Sequence, residues 1–310
     1  MGQPMNPLRF LAYFVLLLLS PAGAADLTLM SFNVWKQGSQ VEDGLKKEVS
    51  AIRLANADVV CLQESTPEHA DKVAAALGWT RAGKGSGTTQ IITRHKIGES
   101  FGTDRCMAAR ILISAEPEQE VVVFNCHLDH RFYGPYAARV AGATATGVLQ
   151  EEARSDREEQ INGFLKEMAP FIEKSSTTPV FLTGDFNCPS HLDWTDATAD
   201  KHGGVGRVEW PVSMAVAAAG FTDTFRFLHP DPVKEPGESW STIHKETEPQ
   251  DRIDFIHHAG KGVTPLTCRL YATEVQRTVG AWTEARLSEV AGNTWPSDHF
   301  AVLATFRITR

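Results

Sequence analysis

The 310-residue sequence lacks the paired cysteines and histidines that hold a structural zinc ion. It has five cysteines, but it has no CxxC pair and no His-x-x-x-His helix, so nothing in it indicates a zinc-stabilised fold. Cys61 and Cys126 lie in apolar, strand-like runs, which is typical of small buried thiols. A disulfide between Cys106 and Cys268 is one alternative that stays open, because spacing alone does not determine pairing.

The sequence also lacks an excess of basic residues. It has 30 lysines and arginines against 38 aspartates and glutamates, which gives a formal net charge of −8. Proteins that bind nucleic acid tightly without sequence preference carry a basic patch that neutralises phosphates. The composition therefore counts against a nuclease, although a bound divalent cation would add positive charge at the site itself.

No apolar run in the sequence reaches the roughly 20 residues that a membrane-spanning helix needs. The strongest candidate, Phe10 to Leu19, follows Arg9 and precedes Ala22-Gly23-Ala24, an order typical of a cleaved signal peptide. We therefore expect residues 1–24 to be a signal peptide and residues 25–310 to be one secreted or periplasmic catalytic domain. An uncleaved membrane anchor is the alternative.

Hydrophobic patterns in the rest of the chain alternate between strands and helices. Leu27 to Trp35 and Asp58 to Gln63 are typical of strands, and Pro67 to Leu77 is typical of a helix that ends at Gly78. Strand patterns return after residue 251. Strands interrupted by helices in this way predict a layered α/β or α+β fold.

Six short motifs each place an oxygen- or nitrogen-bearing side chain beside a hydrophobic run. Any one of them alone is weak evidence of function, but their order and their spread along the chain form a specific pattern. The motifs are Ser31-Phe32-Asn33-Val34-Trp35, Leu62-Gln63-Glu64, Asn125-Cys126-His127-Leu128-Asp129, Gly184-Asp185-Phe186-Asn187, Asp251-Arg252-Ile253-Asp254-Phe255-Ile256 and Ser297-Asp298-His299-Phe300.

This set of motifs resembles the endonuclease/exonuclease/phosphatase superfamily, the deoxyribonuclease I-like metal-dependent phosphoesterases. The resemblance covers almost the whole chain after residue 24. It implies an α+β fold, a four-layered α/β/β/α sandwich of two mostly antiparallel sheets flanked by helices. It also implies metal-dependent hydrolysis of a phosphate ester, without saying which ester.

The motifs supply the hard oxygen ligands that Mg²⁺ and Mn²⁺ prefer. The resemblance implies that Glu64 is the principal metal ligand, helped by Asn33 and Asp298, and that Mg²⁺ or Mn²⁺ is the cofactor. A lone glutamate after an apolar run is more often an exposed strand end. The metal role of Glu64 therefore depends on the whole set of motifs.

The same motifs contain the side chains expected to act on the phosphate. The resemblance implies that Asp185 orients and deprotonates the attacking water, a role that suits a carboxylate held by its neighbours, while Asn187 contacts phosphate or metal. His299 is expected to stabilise the transition state, with Asp254 raising its pKa and fixing its tautomer. His127 is expected on the opposite side of the phosphate, although a buried core histidine is the alternative there.

Two segments that directly follow catalytic motifs mix aromatic rings with polar tips. This composition favours a pocket that stacks a ring and hydrogen-bonds its hydroxyls, so a sugar, an inositol or a nucleoside is expected. One of the segments begins a stretch, residues 188–250, that the sequence predicts to be mostly long loops. The candidate substrate-binding residues are Arg131, Tyr133, Tyr136, His191 and Trp194.

The sequence differs from particular branches of the superfamily at several motif positions, so the motifs do not identify the substrate. Thr66 stands where pancreatic-type deoxyribonucleases carry an arginine, and Trp35 stands where apurinic-site endonucleases carry an acidic residue. The leading prediction is an exported phosphodiesterase or phosphatase that acts on a small or headgroup-like phosphate ester. A secreted nuclease, a sphingomyelinase-like phospholipase and a non-catalytic binding protein are the alternatives. We expect a monomer with no stable membrane anchor, and nucleic acid is not the favoured partner.

Overall fold

Two six-stranded β-sheets form the centre of the protein, which a computed structural model describes at residues 24–83, 87–244, 247–273 and 292–309. In spatial order, the first sheet contains β11 (Val263–Tyr271), β12 (Ala301–Ile308), β1 (Ala25–Asn33), β2 (Val59–Gln63), β4 (Gln90–Thr93) and β3 (Thr80–Arg81). The second contains β5 (Lys96–Gly102), β6 (Cys106–Ala115), β7 (Glu118–His127), β8 (Val180–Asp185), β10 (Asp254–Ala259) and β9 (Thr222–Asp223). The pairs β1–β2 and β7–β8 are parallel, and the other pairings of the described strands are antiparallel.

Helices cover the outer face of each sheet. They are α1 (Gly44–Ala55), α2 (Pro67–Leu77), α3 (Ala145–Glu152), α4 (Arg157–Ile172), α5 (Pro211–Ala218) and α6 (Thr224–Leu228), with 3-10 helices at Gly134–Arg139 and Asp196–His202. Apolar residues of α1 and α2 form one buried cluster with the first sheet, whereas α3, α4 and α5 pack against the second. This arrangement confirms the predicted four-layered α/β/β/α sandwich.

The two sheets pack against each other through a shared apolar core. Leu29 of β1 and Ile111 of β6 belong to this core, and the rings of Phe181 and Phe306 lie 4.8 Å apart within it. Successive residues along a strand point to opposite faces of the sheet. Leu29 therefore faces the other sheet, while its neighbour Met30 packs under the helices of the outer layer.

Local sequence explains the helix that follows the second strand. The Thr66 hydroxyl accepts a hydrogen bond from the backbone N–H of His69, and Pro67 occupies the first turn, where a missing N–H costs nothing. Gly78 ends the helix at φ 73°, a left-handed conformation that glycine adopts without strain. The predicted helix over 67–77 is thus confirmed.

Strand direction brings the six motifs to one edge of the sandwich. Asn33 and Gln63 are the last residues of a parallel pair, and His127 and Asp185 are the last residues of the other. The antiparallel strand β10 begins at Asp254, directly opposite Asp185. The carboxyl ends of β1, β2, β7 and β8 therefore lie at the same edge of the sandwich as the start of β10.

All five cysteines are buried free thiols, so the alternative of a Cys106–Cys268 disulfide is wrong. The physical reason is that Cys106 of β6 packs with the helices on the outer face of the second sheet, whereas Cys268 of β11 lies in the core between the sheets. Among the described helices, none is long and apolar enough to cross a membrane. The predicted signal peptide, residues 1–24, lies outside the described residues except for its last position.

Candidate active site

Three loops leave the strands at this edge in left-handed backbone conformations. Trp35, Glu64 and Asn187 have φ angles of 43°, 57° and 49°. Such conformations cost about 1–3 kcal/mol for residues other than glycine, and they persist where the surroundings over-determine them. Backbone N–H groups of these loops bind the predicted site side chains: the N–H of Trp35 donates to Asn33 Oδ1 at 2.9 Å, and that of Asn187 donates to Asp185 Oδ1 at 2.9 Å.

Asp185 lies at the centre of the site and is 1% exposed. Its Oδ2 accepts a hydrogen bond from Asn33 Nδ2 at 2.9 Å. The same oxygen lies 3.5 Å from His127 Nε2 and 3.8 Å from His299 Nε2. One carboxylate therefore faces two imidazoles, and the amide of Asn33 and the backbone of Asn187 fix its orientation.

His299 and Asp254 form a buried ion pair. His299 Nδ1 donates to Asp254 Oδ2 at 2.9 Å, and the Ser239 hydroxyl donates to the same oxygen at 2.7 Å. Burial alone would lower the pKa of His299, but the carboxylates of Asp254, Asp185 and Asp298 raise this pKa well above its ordinary value. His299 is thus held as a cation, with its Nε2–H on the side of Asp185.

His127 differs from His299 in its charge state. Burial lowers the pKa of His127, and the charges of Asp185 and Glu64 offset that effect only in part. No buried carboxylate bonds to its second nitrogen among the described residues, unlike the pair formed by His299 and Asp254. The site consequently places a neutral imidazole and a cationic one around Asp185.

Glu64 and Asp298 supply carboxylate oxygens next to this group. Glu64 Oε2 accepts the backbone N–H of Lys36 at 2.6 Å, and Asp298 Oδ2 accepts the indole N–H of Trp240 at 3.2 Å. Asp298 Oδ1 is buried and receives no hydrogen bond from the described residues; its nearest cation is His299 Nε2 at 3.9 Å. Burial and the negative charge of Glu64 raise the pKa of Asp298 to about 6, despite the opposing effect of His299. Two mutually repelling carboxylates with an unpaired oxygen fit a divalent cation.

The side-chain amide of Asn33 lies between Asp185 and Glu64. Its Nδ2 donates to Asp185 and, at 3.3 Å, to Glu64 Oε1, while its Oδ1 accepts the N–H of Trp35. A backbone N–H needs an acceptor and carboxylates need donors, so this orientation of the amide satisfies every partner. The Nδ2 of Asn33 positions the two carboxylates, and its Oδ1 keeps a second lone pair, so its role as a metal ligand stays a prediction.

A second group of side chains also has the geometry for a metal ion. Ligand atoms of Asp185, Asp254 and His299 lie within 4.8 Å of one another. Here, however, Nδ1 of His299 is already bonded to Asp254, and the surrounding carboxylates raise the pKa of His299 and so favour the protonated ring, which is a poor metal ligand. The pair of Glu64 and Asp298 therefore fits a cation better.

A buried polar chain that the sequence did not reveal begins at Ser65, the residue that follows Glu64. The hydroxyl of Ser65 lies 2.8 Å from His69 Nδ1, and His69 Nε2 lies 3.0 Å from Glu48 Oε2. Glu48 is fully buried on α1, and His69 is on α2.

A cavity of about 220 Å³ opens beside Asn187. Tyr133 and Tyr136, both predicted to bind substrate, lie in its wall. The structure adds three residues that were not among the predicted substrate-binding residues. Ile253 lies inside one of the six motifs and His130 directly follows another, whereas Trp240 lies in a loop without a motif. Trp240 connects this cavity to the catalytic group through its hydrogen bond to Asp298.

The other three predicted substrate-binding residues do not lie in the wall of this cavity. Trp194 is 1% exposed, donates its indole N–H to Asp251 at 2.8 Å and stacks on His202. His191 lines a separate cavity of about 460 Å³ and bonds to Ser213. These positions correct the expectation that both residues rim the phosphate site, since Trp194 is a core residue and His191 faces α5.

Arg131 is also placed differently from the expectation. Its guanidinium is bound to Asp129 and Asp156, and its side chain is half exposed. Because Asp129 follows β7 and Asp156 lies at the start of α4, the ion pairs hold Arg131 on the surface between these two elements. It is therefore not available to clamp a second phosphate in the cavity.

Comparison with known proteins agrees with this geometry. Residues 30–299 match the Endonuclease/Exonuclease/phosphatase family. The uncharacterized protein F14F9.5 of Caenorhabditis elegans is 33% identical over 294 residues, which cover 90% of this chain and 91% of that protein.

Solved structures share the fold at lower identity. D. rerio TDP2 complexed with a single-strand DNA product is 20% identical, with a TM-score of 0.54 over 91% of this chain and 99% of that one. A mannosyl-6-phosphatase of Bacteroides thetaiotaomicron is 16% identical, with a TM-score of 0.57 over 90% of this chain and 99% of that one. At these identities the likeness shows a common fold.

Proposed function

Because the chain belongs to the Endonuclease/Exonuclease/phosphatase family of metal-dependent phosphoric ester hydrolases, we propose that it hydrolyses a small organic phosphate ester outside the cytoplasm. The observation that carries the proposal is the arrangement around Asp185. One oriented carboxylate faces a neutral and a cationic imidazole, beside a carboxylate pair suited to a cation. Hydrolysis of a phosphate ester needs a base, hydrogen-bond donors and charge neutralisation in one place.

The side chains divide the reaction between them. Asp185 accepts a proton from water, the water oxygen bonds to phosphorus, and the bond from phosphorus to the alcohol oxygen breaks. The alcohol leaves after taking a proton from solvent. His299 donates its Nε2–H to the phosphoryl oxygens, and Asp254 keeps the ring charged and in the required tautomer. Asn187, whose backbone is bound to Asp185, offers its side chain beside the phosphate.

Glu64 and Asp298 would hold the cation, which we propose to be Mg²⁺ or Mn²⁺. Both metals prefer carboxylate oxygens, and the unpaired Oδ1 of Asp298 is such a ligand. When bound, a divalent cation supplies Lewis-acid stabilisation of the charge on the phosphoryl oxygens. Asn33 contributes by holding Glu64 and Asp185 at their present separation.

The surroundings of the site favour a compact substrate over a polynucleotide. The lining of the cavity beside Asn187 includes neither lysine nor arginine among the described residues, and the net charge of the chain is −8. A nuclease remains the second candidate, because the D. rerio relative was solved with a single-strand DNA product. The mannosyl-6-phosphatase relative is named for a small phosphate ester.

Export is part of the proposal and rests on the first residues of the sequence. Arg9, the apolar run over residues 10–19 and the small residues Ala22-Gly23-Ala24 form the order expected of a cleaved signal. We propose that residues 25–310 form one catalytic domain. The intact mass of the protein recovered from outside the cytoplasm tests this, and a product that retains residue 1 would contradict it.

A hydrolysis panel tests the activity. Mono- and bis-nitrophenyl phosphate, duplex DNA, RNA and sphingomyelin are compared with Mg²⁺, Mn²⁺ or Ca²⁺, with Asp185→Asn as the matched control. We expect a nitrophenyl ester to be cleaved with Mg²⁺ or Mn²⁺ by the wild type and far more slowly by the variant. Efficient cleavage of duplex DNA at physiological salt would instead establish the nuclease.

A further inference from the structure

Aromatic residues wall the cavity beside Asn187, and their polar hydrogens are already donated to groups outside it. The Tyr133 hydroxyl donates to Asp251 Oδ2 at 3.0 Å, and the Tyr136 hydroxyl donates to Glu248. The indole N–H of Trp240 donates to Asp298. None of these three acceptors lines the cavity. The cavity is therefore left with ring surfaces and few unused hydrogen-bonding groups.

The three rings form a fixed wall. Tyr136 and Trp240 both meet Tyr133 edge to face, with ring centroids 5.6 Å and 5.8 Å apart and interplanar angles of 81° and 89°. Aromatic pairs prefer this geometry because the positive edge of one ring faces the negative face of the other. Tyr133 is buried, so the wall has a rigid centre.

Charge is also missing from the lining. Arg131 is bound to Asp129 and Asp156, and the Arg139 guanidinium donates to the carbonyl oxygen of Thr247. The described polar residues that remain in the lining are His130 and Asn187. A second phosphate or a carboxylate of the substrate would find no free guanidinium there.

We infer that this cavity binds a single flat, uncharged aromatic ring in the alcohol part of the phosphate ester. A hexose or inositol would bury more hydroxyls than the few polar groups of this lining can pair with, at a cost for each hydroxyl left unpaired. The volume of about 220 Å³ lies below the roughly 300–1,000 Å³ of pockets for larger ligands, so it suits one ring. The inference rests on the proposed phosphoesterase function and narrows its substrate class.

Tyr136 is a suitable residue to substitute because its side chain is 44% exposed and lies outside the core. Tyr136→Ala removes one ring of the wall, whereas Tyr136→Phe keeps the ring and removes only the hydrogen bond to Glu248. Phe227→Ala serves as the matched control, because Phe227 is an exposed aromatic residue on α6 outside this cavity.

The substrates are benzyl phosphate, cyclohexylmethyl phosphate and a hexose 6-phosphate, each also supplied as its methyl diester. All three are esters of primary alcohols with a six-membered ring, so leaving-group chemistry is similar and ring character differs. We expect kcat/KM for the benzyl ester to exceed that for the hexose ester at least about tenfold, the scale of aromatic stacking. Tyr136→Ala should remove most of that ratio, Tyr136→Phe should retain most of it, and Phe227→Ala should leave the ratio unchanged.

A non-hydrolysable probe separates failure of the cavity from failure of the activity. Calorimetry measures the binding of benzylphosphonate and hydroxymethylphosphonate to the metal-loaded protein. Tighter binding of the benzyl compound that Tyr136→Ala removes supports the inference even if no ester is cleaved, and in that case the proposed function fails. Hydrolysis without preference for the benzyl ester, or a preference that Tyr136→Ala does not change, overturns the inference and leaves the function standing.

Discussion

The catalytic group and the aromatic cavity beside it are built from different parts of the chain. Asp185, Asp254 and His299 are buried at or next to the ends of strands, and backbone or side-chain hydrogen bonds hold each of them. Tyr136 and Trp240 lie in long connections and are partly exposed. Rigid elements thus hold the groups that act on phosphorus, while loops form the surface that selects the alcohol. Substitutions in the two regions should therefore affect different kinetic constants.

Asp185→Asn should have the largest effect on turnover. The amide keeps the shape of the side chain but cannot accept a proton from water, so kcat should fall by about 10²–10⁴-fold, the scale of a general base. KM should change little, because binding of the ester is unaffected. Steady-state kinetics on a nitrophenyl ester measure both constants. A loss below tenfold would reduce Asp185 to a residue that shapes the turn after β8.

His299→Ala and Asp254→Ala should each lower kcat strongly, yet the double variant should be little worse than either single one. The reason is that Asp254 acts through the ring of His299, to which it is bonded at 2.9 Å, and residues that act as a unit show non-additive losses. A double-mutant cycle in kcat measures the coupling. Additive losses would assign Asp254 to the support of Ser239 and the backbone around it.

Arg252→Met should reduce stability by about 3–5 kcal/mol, because it leaves the buried carboxylate of Asp223 without a cation and leaves Asp193 paired with Arg226 alone. Burial would raise the pKa of Asp223, but Arg252 lowers it to about 2. The pKa of Asp223 is therefore lower in the folded protein than in the unfolded chain, where it is about 3.9. Ionised Asp223 stabilises the fold fully at pH values above about 3.9, and this stabilisation is lost as the pH falls toward about 2. Urea unfolding of wild type and variant at pH 7 and pH 3 measures both effects, and the difference between the two proteins should shrink at pH 3. An equal difference at the two pH values would exclude this ion pair as its source.

Trp194→Phe should have the smallest effect on catalysis. It removes the indole hydrogen bond to the buried Asp251 and should lower stability by about 1–3 kcal/mol, the cost of one unsatisfied buried group. KM and kcat for a benzyl ester should stay within about twofold of the wild type, because Trp194 does not line the cavity beside Asn187. A large rise in KM at full stability would restore Trp194 to the substrate rim.

The difference between the two regions also explains what could be predicted from the sequence. Strand ends carry short motifs such as Gly184-Asp185-Phe186-Asn187, so the sandwich and the group around Asp185 followed from the resemblance. The amide orientation of Asn33 did not, because it depends on the N–H of Trp35 in a left-handed turn. Trp194 and Trp240 are the same type of residue, and both lie in the stretch that the sequence predicts to be mostly loops. Only the fold decides which of them is buried and which lines the cavity.

The most direct test of the account is the binding of Mn²⁺ measured by titration calorimetry on the wild type and on Glu64→Gln, Asp298→Asn and Asp254→Asn. In the proposed site the cation lies between Glu64 and Asp298. The first two variants should therefore lose at least about tenfold in affinity, whereas Asp254→Asn should bind nearly as the wild type does. Wild-type affinity in Glu64→Gln together with lost binding in Asp254→Asn would contradict this account and place the ion among Asp185, Asp254 and His299 instead.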